Sequence, residues 1–192
     1  MTGGEDLSPV GAGRLVWTGA RTFVPLPSRA CDIDVADSWL VDGGRCRGLE
    51  LHRQRFAGSC RRHDVAPGIV DAFLEDVIDV LPRGGRWFPR VEYHAGEFRF
   101  WLRPAPRLSA SVVLWVPGVG DSRTEPSVKG PDLAALEALR DEAGRAGAGE
   151  ALLLSPQGEV REGALSGLMW WRGDGLCAPP DGRTYCRASP GG

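Results

Sequence analysis

The sequence predicts a two-domain protein of mixed class, either α+β or α/β. Its 192 residues, 42% of them hydrophobic, are enough for two small domains with apolar cores. Stretches in which apolar and polar residues alternate, as in strands, are interspersed with three stretches in which apolar residues recur at helical spacing. A stiff Pro-Ala-Pro segment at 104–106 gives the predicted boundary between domains at 14–105 and 106–180. A flexible leader at 1–13 and an irregular tail at 181–192 complete the predicted organisation.

The first domain is predicted to combine short strands with two helices. Apolar alternation between glycine-containing turns predicts strands at 15–17, 22–25, 37–41, 86–93 and 98–103. The last two of these strands are expected to pair as a hairpin. Apolar residues recur at near-helical spacing at 49–60 and lie on one helical face at 67–81, which predicts two helices.

The second domain is predicted to be rich in strands and to contain one helix. The helix at 132–145 carries Leu133, Leu136 and Leu139 on one face, and Gly147 follows its end. Apolar runs between proline- and glycine-containing turns predict strands at 112–116, 150–154, 159–162, 168–171 and 176–178.

Composition and charge exclude several classes of protein. The formal net charge of −2, with both signs interspersed, gives no basic field for a nucleic acid. No stretch approaches the roughly 20 apolar residues of a membrane span, and the acidic N-terminus is unlike a signal peptide. A cytoplasmic protein without membrane contact is therefore predicted. Five cysteines without a CxxC pair and three separated histidines predict neither a disulfide framework nor a metal site.

Lys129 is the only lysine among the 23 basic residues. Arginine replaces lysine everywhere else in this chain, but it cannot form a Schiff base because its guanidinium does not lose its proton. Val128 is expected to end an extended stretch, and Pro131 and Asp132 to begin a helix. The amine would then lie at a strand-to-helix junction, where burial lowers its pKa. The alternative is that Lys129 merely survived a compositional bias against lysine.

Three further segments follow one another at suitable separations. They read Leu-Glu-Leu-His-Arg-Gln-Arg-Phe at 49–56, Val-Lys-Gly-Pro-Asp-Leu at 128–133, and Glu-Gly-Ala-Leu-Ser-Gly at 162–167 after a strand and turn. In order, they resemble the His-x-x-Arg-Leu helix, the lysine segment and the Glu-Gly-x-x-Ser-Asn segment of the class IV aminotransferases. That family comprises branched-chain and D-amino-acid aminotransferases and 4-amino-4-deoxychorismate lyase. The likeness spans about residues 37–180.

The resemblance implies a fold and a cofactor. The fold is pyridoxal 5′-phosphate (PLP) fold type IV, a small α/β sandwich followed by a barrel-like α/β domain. By the family pattern, Lys129 holds PLP as a Schiff base and shuttles the substrate proton. Arg55 binds the cofactor phosphate, and Glu162 keeps the pyridine nitrogen protonated. Without the resemblance, Arg55 would be a solvated arginine on a helix face and Glu162 an ordinary exposed strand glutamate.

The resemblance also implies a reaction and an assembly. Members of the family transaminate a small amino acid or, like the lyase, eliminate pyruvate from aminodeoxychorismate, and both reactions stay open here. The compact helix that carries His52 and Arg55 is closer to the lyase branch. A homodimer with an amino-acid or aminodeoxychorismate-like substrate is implied, with no nucleic-acid or membrane partner.

The sequence departs from the family pattern at several positions. Residues 31–35 read Cys-Asp-Ile-Asp-Val in place of an aromatic-Gly-Asp-Gly segment. Asp132 replaces a common asparagine, and Gly167 interrupts the expected Ser-Asn pair. After Pro180 the family's phosphate-binding loop is not recognisable, so a C-terminally truncated chain with an incomplete second domain is expected. Two alternatives stay open: an inactive family member that serves only for binding or association, and an α/β binding module without a cofactor.

Overall fold

A computed structural model describes residues 13–26 and 32–179. The predicted tail, all but the last residue of the predicted leader, and Cys31 therefore lie outside the described residues. The described chain divides into two compact units, of which the first ends at Pro106 and the second begins at Arg107. Both units combine strands with helices, which confirms the predicted mixed class.

The first unit is an antiparallel sheet that packs against two helices. Its elements are β1 (Leu15–Gly19), β2 (Thr22–Pro25), β3 (Val35–Ser38), β4 (Val41–Asp42), α1 (Leu49–Cys60), α2 (Pro67–Asp79), β5 (Arg86–Trp87), β6 (Arg90–His94) and β7 (Glu97–Trp101). Five strands form one sheet in the order β2-β1-β7-β6-β3, and β4 pairs with β5 separately. The helix α1 contacts β3, and α2 contacts both α1 and β1.

The ends of both helices follow from the local sequence. Gly48, with a φ of 64°, precedes α1 in a left-handed conformation that glycine adopts without steric cost. Pro67 occupies the first turn of α2, where its missing N–H removes no helical hydrogen bond. The apolar face of α2 is buried, and the helix ends at Asp79, two residues before the predicted end.

An aromatic cluster forms the centre of the first unit. The ring centroids of Phe73 in α2 and Phe98 in β7 are 4.8 Å apart. Phe56 in α1 lies 6.2 Å from the first of these rings and 6.4 Å from the second. All three side chains are buried. Burial of large apolar side chains stabilises by about 1.5–3 kcal/mol each, so this cluster fastens both helices to the sheet.

The second unit is a small sheet with one helix and a separate hairpin. Its elements are β8 (Leu114–Trp115), α3 (Leu133–Arg145), β9 (Glu150–Leu154), β10 (Val160–Gly163), β11 (Trp170–Arg172) and β12 (Gly175–Cys177). The sheet order is β10-β9-β8, with β8 parallel to β9 and β10 antiparallel to it. The helix α3 lies in the long connection that a parallel pair requires. Two leucines and three alanines form the buried core cluster, namely Leu136, Ala143, Ala151, Leu153 and Ala164.

The structure corrects three predictions about local conformation. The strand predicted at 37–41 is interrupted, since β3 ends at Ser38 and β4 begins at Val41 in a separate sheet. The strand predicted at 86–93 is divided into β5 and β6, because Pro89 between them has no N–H to donate to a strand ladder. Val128 does not end an extended stretch: its N–H donates to the Glu125 carbonyl at 3.0 Å. Pro126 follows Glu125, and proline favours that second position of a β-turn. Lys129 is therefore preceded by a turn, while α3 begins close to the predicted residue.

Candidate functional site

Lys129 lies in a held turn four residues before the first residue of α3. The lysine itself is half-buried, and the neighbouring Val128 is 1% exposed. On the other side, the Leu133 N–H donates to the Gly130 carbonyl at 2.9 Å. Backbone hydrogen bonds thus hold the chain both before and after the lysine, so the position of the Lys129 Cα is fixed.

Asp132 ties the segment before the lysine to the start of α3. Its Oδ1 accepts hydrogen bonds from the backbone N–H and the hydroxyl of Thr124, both at 2.9 Å. Its Oδ2 accepts the Glu125 N–H at 3.0 Å. Burial alone would raise the pKa of Asp132, but these hydrogen bonds outweigh it and lower that pKa. A carboxylate where asparagine was expected therefore has a clear structural use in this chain.

Glu162 is a buried member of β10 and is ion-paired. It is 4% exposed, and its Oε1 accepts a hydrogen bond from Nη1 of Arg123 at 2.5 Å. The Arg123 guanidinium is held in turn by Asp121, through Nε to Oδ1 at 2.9 Å and Nη2 to Oδ2 at 2.7 Å. Glu162 is thus not an exposed strand glutamate, and the arginine bound to it belongs to the segment that leads to Lys129.

Asp121 accepts hydrogen bonds from two arginines of this network. Its Oδ2 also accepts a hydrogen bond from Nη1 of Arg161 at 2.8 Å, and its N–H donates to the Leu154 carbonyl at 2.8 Å. Burial by itself would raise the pKa of Asp121, but hydrogen bonds from Arg123 and Arg161 outweigh it and lower the pKa to about 2. The segment is therefore fastened to both β9 and β10.

Gly163 has a packing role directly after Glu162. A Cβ at this position would collide with the Ser166 hydroxyl and approach the Glu150 Cγ to 2.9 Å. The Gly163 N–H donates to the Ser166 carbonyl at 2.9 Å, which closes a tight turn. The glycine and serine of the Glu-Gly-x-x-Ser segment are thus explained by space and hydrogen bonding.

Arg55 lies in the first unit, on the face of α1 that covers β3. Its Nε donates to Oδ2 of Asp37 at 2.7 Å, and its Nη2 donates to Oδ1 at 2.5 Å. His52, one turn earlier on α1, places Nδ1 3.0 Å from the same Oδ1. The same Nδ1 lies 3.1 Å from Nη2 of Arg55, so the imidazole contacts both members of the ion pair. Arg55 is therefore not a solvated surface arginine.

The structure places two of the three predicted site residues, Lys129 and Glu162, in the second unit and Arg55 in the first. Within the second unit, an amine and a buried carboxylate suit a ligand with an aldehyde and a ring nitrogen, two of the groups of PLP. Sequence analysis did not single out Asp37, Asp121 or Arg123. A lone acid among apolar strand residues, and an Asp-x-Arg pair just before the only lysine, are the signals that could have found them.

Within the described residues, no group of three or more histidine, cysteine or acidic side chains is arranged to hold a metal ion. In the same parts of the chain, none of the helices has the length and apolar character needed to cross a membrane.

Solved structures with the same fold include aminotransferases and a proposed lyase. A fold IV transaminase from Curtobacterium pusillum is 20% identical, with a TM-score of 0.68 over 91% of this chain and 74% of that one. A hypothetical aminotransferase from Mycobacterium tuberculosis in its PLP-bound form is 20% identical, with a TM-score of 0.63 over 81% and 67%. A proposed 4-amino-4-deoxychorismate lyase is 22% identical, with a TM-score of 0.65 over 80% and 68%. The protein therefore has PLP fold type IV, as predicted.

The family follows from the sequence match. Residues 34–184 match the profile of the family described as amino-transferase class IV, and the chain belongs to that family. The predicted family resemblance is thereby confirmed. A comparison with curated protein sequences finds no match.

Proposed function

We propose that the protein is a PLP-dependent enzyme that transaminates a small amino acid or eliminates pyruvate from an aminodeoxychorismate-like substrate. The observation that carries this proposal is that Glu162 is buried and paired with an arginine. Burying a carboxylate costs free energy unless an opposite charge compensates it. Glu162, in the Glu-Gly-x-x-Ser segment, is buried and paired with Arg123, which belongs to the segment that leads to Lys129. Membership of the class IV family supports the same conclusion.

Each proposed site residue has a distinct task. When bound, PLP supplies an aldehyde and an electron-withdrawing ring. Lys129 would hold the cofactor through its amine and would move the proton at the α-carbon of the substrate. Glu162 would hold the ring nitrogen in its protonated form. Arg55 would bind the phosphate group.

Transamination and pyruvate elimination share these tasks, and they differ in which bond of the substrate breaks. Assays of the purified protein with amino donors and a 2-oxo acid acceptor, alongside assays for pyruvate release from aminodeoxychorismate, separate the two reactions. We also propose, from family membership, that the protein is a cytoplasmic homodimer with domains at 14–105 and 106–180. Light scattering of the purified chain tests the homodimer.

The single lysine allows a decisive labelling experiment. The protein is incubated with PLP, its visible absorbance is recorded, and borohydride is added to fix any pyridoxyl group to nitrogen as a secondary amine. Peptide mapping should then find the label on Lys129, because the only other primary amine of the chain is the N-terminus.

Lys129→Arg is the matched control, since it keeps the positive charge and removes the reactive amine. It should lose the visible absorbance band and the label while it remains folded by circular dichroism. Folded wild-type protein without a band or a label at Lys129 would contradict the proposed enzyme and favour a family member that serves only for association.

A further inference from the structure

A fully buried carboxylate, Asp37, lies under the helix that carries Arg55. It is 0% exposed and belongs to β3. Besides Arg55 and His52, its Oδ1 accepts the hydrogen bond of the Ser38 N–H at 2.6 Å. We infer that Asp37 and His52 form a clamp whose task is to position the Arg55 guanidinium for an anionic phosphate ester. This inference deepens the proposed function and rests on it.

The clamp fixes the direction of the guanidinium plane. The two bonds from Arg55 to Asp37 use the edge of the fork formed by Nε and Nη2. Such a bidentate pair defines the orientation of the whole planar group, which a single contact would not do. A long side chain that is already ordered loses less conformational entropy when a ligand binds, so the clamp should increase affinity for the phosphate.

A second buried ion pair, in the same sheet, differs from the Asp37–Arg55 pair in the exposure of its arginine. Arg90 and Glu92 are joined at 2.6 Å, and their side chains are only 4% and 1% exposed. The Arg55 side chain is 19% exposed, although its partner Asp37 is not exposed at all. The clamp therefore combines a fully buried carboxylate with an arginine whose side chain is partly exposed.

The clamp can be tested by the ratio of two dissociation constants. The full-length protein is titrated with PLP and, separately, with pyridoxal, and the fluorescence of its seven tryptophans is followed. The two ligands share the aldehyde and the ring, so the ratio of their constants reports the phosphate alone. Arg55→Gln should reduce the preference for PLP by about 10- to 100-fold, as expected for loss of a charge-assisted bond.

Asp37→Asn keeps the shape of the side chain and removes its charge. It should reduce the preference for PLP by about 10-fold, with Arg55 still present, because the fork is no longer held in one orientation. His52→Ala withdraws the other part of the clamp and should reduce the preference about 3-fold. If Asp37→Asn does not fold, His52→Ala tests the clamp alone. A ratio of the PLP and pyridoxal dissociation constants equal to that of the wild type would then overturn the clamp.

Glu92→Gln is the control for loss of a buried carboxylate in the same sheet. It should lower the melting temperature and leave the preference for PLP unchanged. A general structural effect would reduce PLP and pyridoxal binding alike in all variants, and that result overturns the clamp.

The outcomes separate the clamp from the proposed function. A wild-type protein that binds neither ligand contradicts the proposed function itself. Loss of preference in Arg55→Gln, together with full preference in folded Asp37→Asn, leaves the proposed function intact and overturns the clamp. Loss of preference in both variants supports the clamp.

Discussion

The first unit packs Phe56, Phe73 and Phe98 into one cluster, whereas the core cluster of the second consists of two leucines and three alanines. The two units also differ in how many large apolar side chains they leave exposed. Among the described residues, most of the exposed large apolar side chains belong to the second unit, including Trp170 and Trp171. Buried apolar area is the main source of folding free energy, so the second unit has less of it to hold its functional segment.

In the second unit, buried ion pairs and hydrogen bonds hold the segment before Lys129 in place. Asp121, Arg123 and Glu162 fasten the segment before the lysine to the sheet, and Asp132 closes it onto α3. In the first unit, the Asp37–Arg55 pair lies in a scaffold that aromatic packing already fixes. The difference teaches that buried ion pairs hold the candidate residues in both units, whereas the apolar packing around those pairs differs, and the two contributions can be tested separately.

The largest effect is expected from Phe73→Ala in the first unit. Phe73 is 0% exposed at the centre of the aromatic cluster, so removing its ring should destabilise the protein by about 4 kcal/mol. Urea unfolding followed by circular dichroism measures the change. Leu136→Ala is the matched change in the smaller core and should cost about 2 kcal/mol. Equal losses in the two variants would contradict the contrast between the cores.

Removing Arg123 should have the next largest effect. Arg123→Met leaves the buried carboxylates of Asp121 and Glu162 without this shared cation, and a destabilisation of about 3 kcal/mol is expected. Arg161→Met, which removes a 22% exposed partner of Asp121, should cost only about 1 kcal/mol. The same urea unfolding compares them. If both variants match the wild type, charge does not hold this segment.

Two glycines sharpen the comparison within the second unit. Gly163→Ala forces a methyl group against Ser166 and Glu150 and should destabilise by about 2 kcal/mol. Gly144 in α3 has open space around its Cα, so Gly144→Ala should stabilise by about 0.5 kcal/mol, because alanine is the better helix former. Thermal unfolding of both variants should show melting temperatures on opposite sides of the wild type.

The smallest effect concerns acid. The pKa of Asp121 is about 2 in the folded protein and about 3.8 when unfolded, so the folded form binds the proton less readily. This carboxylate therefore contributes stability above about pH 4, and the contribution, at most about 2 kcal/mol, is lost as the pH falls towards 2. Urea unfolding between pH 5 and pH 2 should show a shallower pH dependence in Asp121→Asn.

Asp141→Asn, which changes an exposed carboxylate on α3, is the control for the acid experiment. Its pH dependence should follow that of the wild type. A wild-type slope in Asp121→Asn as well would show that the ion pairs of Asp121 do not stabilise the folded protein.

Local patterns predicted most of the elements in this chain. The apolar period of α2, its initial proline and the alternation in β6 and β7 act between neighbours in sequence, so they are visible without the fold. The turn at Val128 was missed because the apolar residues around it suggested a strand. The competing signal was Pro126, whose fixed φ favours a turn.

The sequence by itself determined the helices, most of the strands, the family, and the candidate residues Arg55, Lys129 and Glu162, because residue type and spacing carry that information. Only the tertiary structure decided their surroundings. It paired Arg55 with Asp37, 18 positions away, and Glu162 with Arg123, 39 positions away. Such pairs have no periodic trace in the chain. A carboxylate that burial separates from water is costly unless it is paired, and the folded backbone places a guanidinium beside it.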